Sequence, residues 1–157
     1  MGRVVFHVDM DAFYAAVEAR ERPEWATVPL IIGGDPKGGE GRGVVSTANY
    51  EARKYGIRSA MAISAAYNAC PNGVFIRPDF QKYKPASQEV MAILAEYADV
   101  LQVVGMDEAY LDVSERTGGC YRKARNLALS LQAAIRRRTQ LSCSIGVGPS
   151  KSVAKIG

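Results

Sequence analysis

The chain has 157 residues, 48% of them apolar and 23% charged, with a net charge of +4. Such a composition suits one compact core with room for a small appended subdomain, and it excludes a disordered or low-complexity chain. The longest apolar runs, residues 4–8 and 30–32, fall far short of the about 20 residues a membrane span needs, and no charged-then-apolar leader precedes them, so a cytoplasmic protein with no membrane partner is expected.

Residues 4–8 form a near-continuous β-branched and aromatic run ending at Asp9, which predicts a strand buried on both faces with a carboxylate held at its end. From Asp11, the spacing of Phe13, Ala16, Val17 and Arg20 predicts a short helix with an acid at its start, closed by Pro23. Two short strands are expected over 30–32 and 44–46. The loop joining them, 33–43, has glycine at six of its eleven positions and is expected to be a flexible hairpin. Short helices around 50–55 and 63–69 follow, and Pro71-Asn72-Gly73 makes a turn into a strand over 74–77.

Tyr83, Ala86, Val90, Ile93, Leu94 and Tyr97 recur at steps of three and four, which marks one buried stripe of a longer helix. Residues 101–104 and 109–113 read as paired strands around Gly105-Met106-Asp107-Glu108. A second amphipathic helix turns Ala124, Leu127, Ala128, Leu131 and Ile135 inward and ends in Arg136 to Arg138, where cations oppose the helix dipole. Leu141, Cys143, Ile145 and Val147 alternate as in a strand, and Pro149-Ser150 opens a last helix that reaches only to Gly157. A helix that short is marginal alone, so a longer natural protein is expected.

This order of elements predicts an α+β fold of the ferredoxin-like, split βαβ kind, with an insertion after the first helix. Cys70, Cys120 and Cys143 are widely spaced and read as free thiols rather than a zinc site or a disulfide framework. Residues 1–113 carry 11 Lys/Arg against 15 Asp/Glu, whereas residues 114–157 carry 9 Lys/Arg against the single acid Glu115. An acid-poor tail suits a polyphosphate partner, although a solvated helix face has the same composition.

Asp9 and the Asp107-Glu108 pair are the chemical constellation. In a split βαβ sheet the first and third strands are neighbours, which would bring these acids together. Clustered carboxylates repel unless a cation is present, and oxygen ligands without His or Cys favour magnesium or manganese over zinc. Asp107 and Glu108 point to opposite faces of a regular strand, so both serve one site only where the backbone is irregular. A second reading stands beside this one: Asp9 or Asp11 caps the next helix, and Asp107 and Glu108 fill a turn. His7, the only histidine, reads as a packed, neutral residue of an apolar strand. The glycine-rich loop lacks the spacing of a phosphate cradle.

Three segments, Asp9-Met10-Asp11-Ala12-Phe13-Tyr14, Ser46-Thr47-Ala48-Asn49-Tyr50-Glu51-Ala52-Arg53 and Met106-Asp107-Glu108-Ala109-Tyr110-Leu111-Asp112, together with Gly146-Val147-Gly148-Pro149-Ser150-Lys151 to Ala154-Lys155-Ile156, closely resemble the Y-family DNA polymerases of polymerase IV type in order and spacing. The resemblance implies a translesion-type, template-directed DNA polymerase using two-metal nucleotidyl transfer to a primer 3′-hydroxyl. It implies two magnesium ions, manganese being possible, bridged by Asp9 and Asp107, with the Met10 carbonyl as a further ligand and Glu108 completing one site. Tyr14 would be the steric gate beneath the sugar, beside Phe13, and Thr47, Tyr50, Arg53 and Lys155 would hold the triphosphate. Residues 1–20 and 77–157 would be the palm and 21–76 the fingers, with Ser46, Ala48, Ala60 and Met61 flooring the nascent base pair.

The partners implied are primer-template DNA and deoxynucleoside triphosphates, with a sliding clamp engaged through a C-terminal region outside this chain. A thumb and a little finger are expected to be missing, so the chain is expected to bind nucleotide while gripping duplex poorly. Two other classes compete. A nucleotide cyclase would use the same sheet and carboxylates, but the chain lacks a GGDEF-type hairpin. A non-enzymatic nucleic-acid-binding module would make the acids structural.

Overall fold

The computed structural model describes residues 2–157, which divide into two compact units: one holds the segment up to Asp11 and Lys84–Gly157, the other Ala12–Tyr83. In chain order the elements are β1 (Val5–Met10), α1 (Phe13–Glu21), a 3-10 turn (Pro23–Ala26), β2 (Leu30–Gly33), a second 3-10 turn (Lys37–Gly39), β3 (Val45–Ala48), α2 (Tyr50–Arg53), α3 (Ile63–Ala69) and β4 (Val74–Ile76). After them come α4 (Phe80–Tyr97), β5 (Val100–Gly105), β6 (Glu108–Asp112), α5 (Ser114–Thr117), α6 (Tyr121–Thr139), β7 (Cys143–Gly148) and α7 (Lys151–Ile156). The boundary at Tyr83/Lys84 falls inside α4. No helix of the described residues is long and apolar enough to cross a membrane.

The first unit is built on a four-stranded sheet in the order β5-β6-β1-β7, with every neighbour antiparallel. That is the split βαβ arrangement expected from the sequence: the crossover from β1 leads to the far edge, and the hairpin β5-β6 returns the chain beside β1. The two faces of β1 differ. Phe6, Val8 and Met10 are buried on one, as are Ala109 and Leu111 of β6 on the same face, while Val5, His7 and Asp9 alternate onto the other. The strand runs to Met10, one residue beyond the expected end at Asp9, and the burial of both faces stops at Val8.

The second unit has a three-stranded sheet, β3-β2-β4, with β2 pairing antiparallel to β3 and parallel to β4. Parity on β2 separates two clusters. Ile31 packs with Val45, Ala48, Ala52, Ile57, Ile63, Ala66 and Cys70, and Leu30 and Ile32 pack with Ala15 of α1. The loop between β2 and β3 is glycine-rich because its backbones touch. A Cβ at Gly33 would overlap the Val44 carbonyl, one at Gly41 would overlap that of Asp35, and one at Gly34 would come within 2.9 Å of the Gly43 Cα.

Two expectations for α1 fail. Its N-cap is Ala12, left-handed at φ 42°, with no side-chain cap bond, and Asp11 instead accepts from the Ser142 and Ser144 hydroxyls at 2.9 and 2.7 Å. Its buried positions are Phe13, Ala15, Val17 and Glu18, so the inward stripe is rotated from the predicted one and includes a carboxylate.

Candidate active site

In the first unit, Asp9 on β1 stands directly opposite Glu108 on β6 and Ser144 on β7. Directly opposed residues of antiparallel strands share a face, with Cβ atoms about 5 Å apart. Asp107 lies outside the ladder, in the Met106-Asp107 turn between β5 and β6, where the strand register shifts after Val103. Its carbonyl accepts the Met10 N–H at 2.9 Å. The Met106 carbonyl in turn accepts from the Ser87 hydroxyl, which ties this turn to α4. The irregular backbone that two adjacent acids require is therefore present at this position.

The electrostatics of the acids differ. Loss of hydration, followed by repulsion from Asp107, raises the Asp9 carboxyl above its ordinary range, with Glu108 and Asp11 adding and His7 opposing. Asp107 is also raised, by burial first and by Glu108 less. Glu108 is lowered, because His7 and then Lys155 hydrogen-bond to it. The distances are short: His7 Nε2 donates to Glu108 Oε1 at 2.7 Å, and Lys155 Nζ lies 3.1 Å from the same oxygen. Among the described residues, no group of three or more His, Cys, Asp or Glu side chains is disposed to hold a metal ion. As placed, the Glu108 carboxylate is directed to its two cationic or N–H partners.

His7 is the residue that sequence reading undervalued. It is buried at 8% exposure, packs at 5.1 Å and a tilt of 50° against the ring of Tyr110 opposite it, and hydrogen-bonds to Glu108, the one acid of the three whose pKa is lowered rather than raised. Its only signal was its parity with Asp9, two residues on. Lys155 reaches Glu108 because α7 lies close on β7. A Cβ at Gly146 would overlap the Ala154 carbonyl oxygen, and one at Gly148 would come within 2.8 Å of the Ala154 nitrogen. Ser150 caps this helix, its hydroxyl accepting the Val153 N–H.

In the second unit, Tyr14 of α1 is half-buried against the Ala15, Leu30 and Ile32 cluster, beside the buried Phe13. Its ring stacks on that of Tyr83 at 4.5 Å and 12°, with Phe80 edge-on to both. Thr47 is buried on β3, whereas Tyr50 and Arg53 are exposed on α2, and Arg53 Nε donates to the Ala48 carbonyl at 3.0 Å. Asn49 organises this segment: its Oδ1 accepts from Leu30 and Ala52 N–H, and its Nδ2 donates to the Trp25 and Val28 carbonyls. It caps α2, joins it to β2, and was quoted in the sequence motif without a role. Of the expected base-pair floor, Ser46 and Ala60 are exposed and Met61 half-buried, whereas Ala48 is buried in the core on the Ile31 side of the sheet.

Residues 8–157 match the impB/mucB/samB family. The chain is 50% identical over 154 residues to a DNA polymerase IV of Methanoculleus marisnigri and 51% identical to DNA polymerase IV 2 of Methanosarcina mazei; each match covers 98% of this chain and 42% of the relative. It thus spans less than half the length of these relatives. Among solved structures it is similar to an insertion ternary complex of Dbh DNA polymerase, with a TM-score of 0.90 and 33% identity over 98% of this chain and 44% of that one. A DinB structure from Sulfolobus solfataricus gives a TM-score of 0.89 at the same identity and coverage.

Proposed function

The chain belongs to the impB/mucB/samB family, the Y-family DNA polymerases of polymerase IV type, and from that premise we propose that it is the metal- and nucleotide-binding portion of a template-directed, translesion-type DNA polymerase. The observation that carries the reading is the apposition of Asp9 and Glu108 on neighbouring strands, next to Asp107, with loss of hydration first and the Asp107 charge second raising the Asp9 pKa. Carboxylates gathered on one face with loss of hydration favour a divalent cation, and an all-oxygen donor set fits magnesium or manganese.

In this reading Asp9 and Asp107 would hold two ions jointly, with the Met10 carbonyl and the Glu108 carboxylate completing the set. The chemistry supplied there would be Lewis-acid activation of the primer 3′-hydroxyl and stabilisation of the departing pyrophosphate. The chain's own groups do the rest. His7 orients the Glu108 carboxylate. Arg53, fixed through Nε, presents a planar fork, and Lys155 a point charge, to the triphosphate alongside the Thr47 and Tyr50 hydroxyls. Tyr14 acts as the steric gate, with Phe13 beside it. Residues 1–20 and 77–157 serve as palm and 21–76 as fingers. Primer-template grip and any sliding-clamp contact are assigned to the length that the relatives have outside the match.

Primer extension by the full-length protein tests this. Asp9→Ala, Asp107→Ala and Glu108→Ala should each reduce extension by more than about 10³-fold. Unchanged extension in folded variants would overturn the assignment, and pyrophosphate release from a single nucleotide without template would favour a cyclase.

A further inference from the structure

Glu18 is the most deeply buried carboxylate described in the chain, at 3% exposure, and the proposed function leaves it without a role. A buried charge is costly unless both oxygens find donors. Here both do. Lys82 Nζ lies 2.9 Å from Oε1 and also 3.1 Å from Glu21, while the Tyr83 hydroxyl donates to Oε2 at 2.8 Å. Burial holds the Tyr83 phenol well above its usual range, so it remains a protonated donor, and the bonds to Glu18 and then Glu21 keep Lys82 charged.

The other end of Tyr83 carries the consequence. Its fully buried ring lies nearly parallel to that of Tyr14, and Phe80 meets the two rings edge-on at 5.6 and 5.7 Å. Aromatic stacking and apolar contact are weakly directional, so two stacked rings can slide in their common plane at little cost. A hydrogen bond of fixed length at the para position removes that freedom. Tyr14 and Glu18 lie four residues apart on α1, so the helix that carries the gate also carries the group that locks its backing ring.

We propose that Glu18 is a positioning residue: through the Tyr83 hydroxyl it fixes the ring against which Tyr14 rests, and so sets how strictly the enzyme excludes a 2′-hydroxyl. The idea rests on Tyr14 being the steric gate. Repulsion between a ring and a hydroxyl rises steeply over tenths of an ångström, so a loosened backing ring relaxes exclusion without removing the gate.

The test compares ribonucleotide and deoxyribonucleotide insertion by the full-length protein. Tyr83→Phe keeps the ring and removes the bond; Glu18→Leu removes the acceptor; Glu18→Gln keeps an acceptor. The first two should raise the ribonucleotide-to-deoxyribonucleotide ratio of kcat/KM by about 3- to 30-fold, a size typical of coupling between contacting residues, with deoxyribonucleotide insertion changed by less than about 3-fold. Glu18→Gln should recover most of the discrimination, and Tyr83→Phe should add nothing on top of Tyr14→Ala. Tyr83→Phe preserves buried volume and so remains informative if Glu18→Leu fails to fold. Wild-type discrimination in a folded Tyr83→Phe protein, with Tyr14→Ala still admitting ribonucleotides, would overturn the proposal and leave the gate standing. If Tyr14→Ala fails to admit ribonucleotides, the gate assignment falls and this inference falls with it.

Discussion

Asp9 is held by the fold in a position where its own charge is unwelcome. Its folded pKa lies above the ordinary value, so it binds a proton more readily in the folded chain than in the unfolded one. Stability attributable to this group is therefore full below the unfolded pKa, about 4, and is lost as pH rises through the higher folded value. Asp9→Asn should stabilise the metal-free chain at neutral pH, by less than about 1 kcal/mol because solvent screens an exposed carboxylate, and should leave the melting temperature nearly unchanged well below pH 4. A variant that melts lower than the wild type at pH 7 would contradict this. His7→Phe keeps the packing on Tyr110 but removes the bond to Glu108, and loss of such an orienting partner should weaken manganese binding about tenfold in a calorimetric titration. Asp9 and Glu108 were legible in the sequence, because acids at the end of one strand and the start of its neighbour meet in a split βαβ sheet. The partner of His7 was not, because it depends on the register that sets Asp9 against Glu108.

Among the elements, the strands and long helices followed from periodicity, and the errors have physical causes. The stripe of α4 was visible as apolar residues at steps of three and four, and its predicted positions from Tyr83 to Leu94 are buried. On α1 the same rule rotated the helix. Glu18 faces inward to meet Lys82 and Tyr83, and a rule that counts only apolar residues cannot anticipate a satisfied buried charge. The predicted acid at the start of α1 failed because Asp11 is drawn to two serine hydroxyls on and beside β7. Ala12 takes the left-handed conformation instead, at a cost of about 1–2 kcal/mol that the surrounding structure must offset. The seat of α7 on β7 rests on Gly146 and Gly148. Gly146→Ala should cost at least about 2 kcal/mol, since backbone and not a flexible side chain stands in the way, and should release Lys155 from Glu108. Thermal denaturation reads the first effect; an unchanged melting temperature would show that the helix moves aside freely.

At the scale of the molecule, the two units carry different parts of the proposed chemistry. The carboxylates, His7 and Lys155 belong to the unit with the four-stranded sheet, and Tyr14, Thr47, Tyr50 and Arg53 to Ala12–Tyr83. The bounds 21–76 for the fingers are those the family resemblance implies, and the two compact units, divided at Asp11/Ala12 and Tyr83/Lys84, are a separate description in which α1 and the first turn of α4 group with β2, β3 and β4. The central claim is that Asp9 and Asp107 together bind divalent cations. It is tested most directly by calorimetric titration of manganese, with a deoxynucleoside triphosphate present, into the wild-type, Asp9→Ala and Asp107→Ala proteins, each verified as folded by circular dichroism. The expected result is saturable binding by the wild type and at least tenfold weaker binding, on the order expected for a lost ligand, in both variants. Equal binding by all three would contradict it.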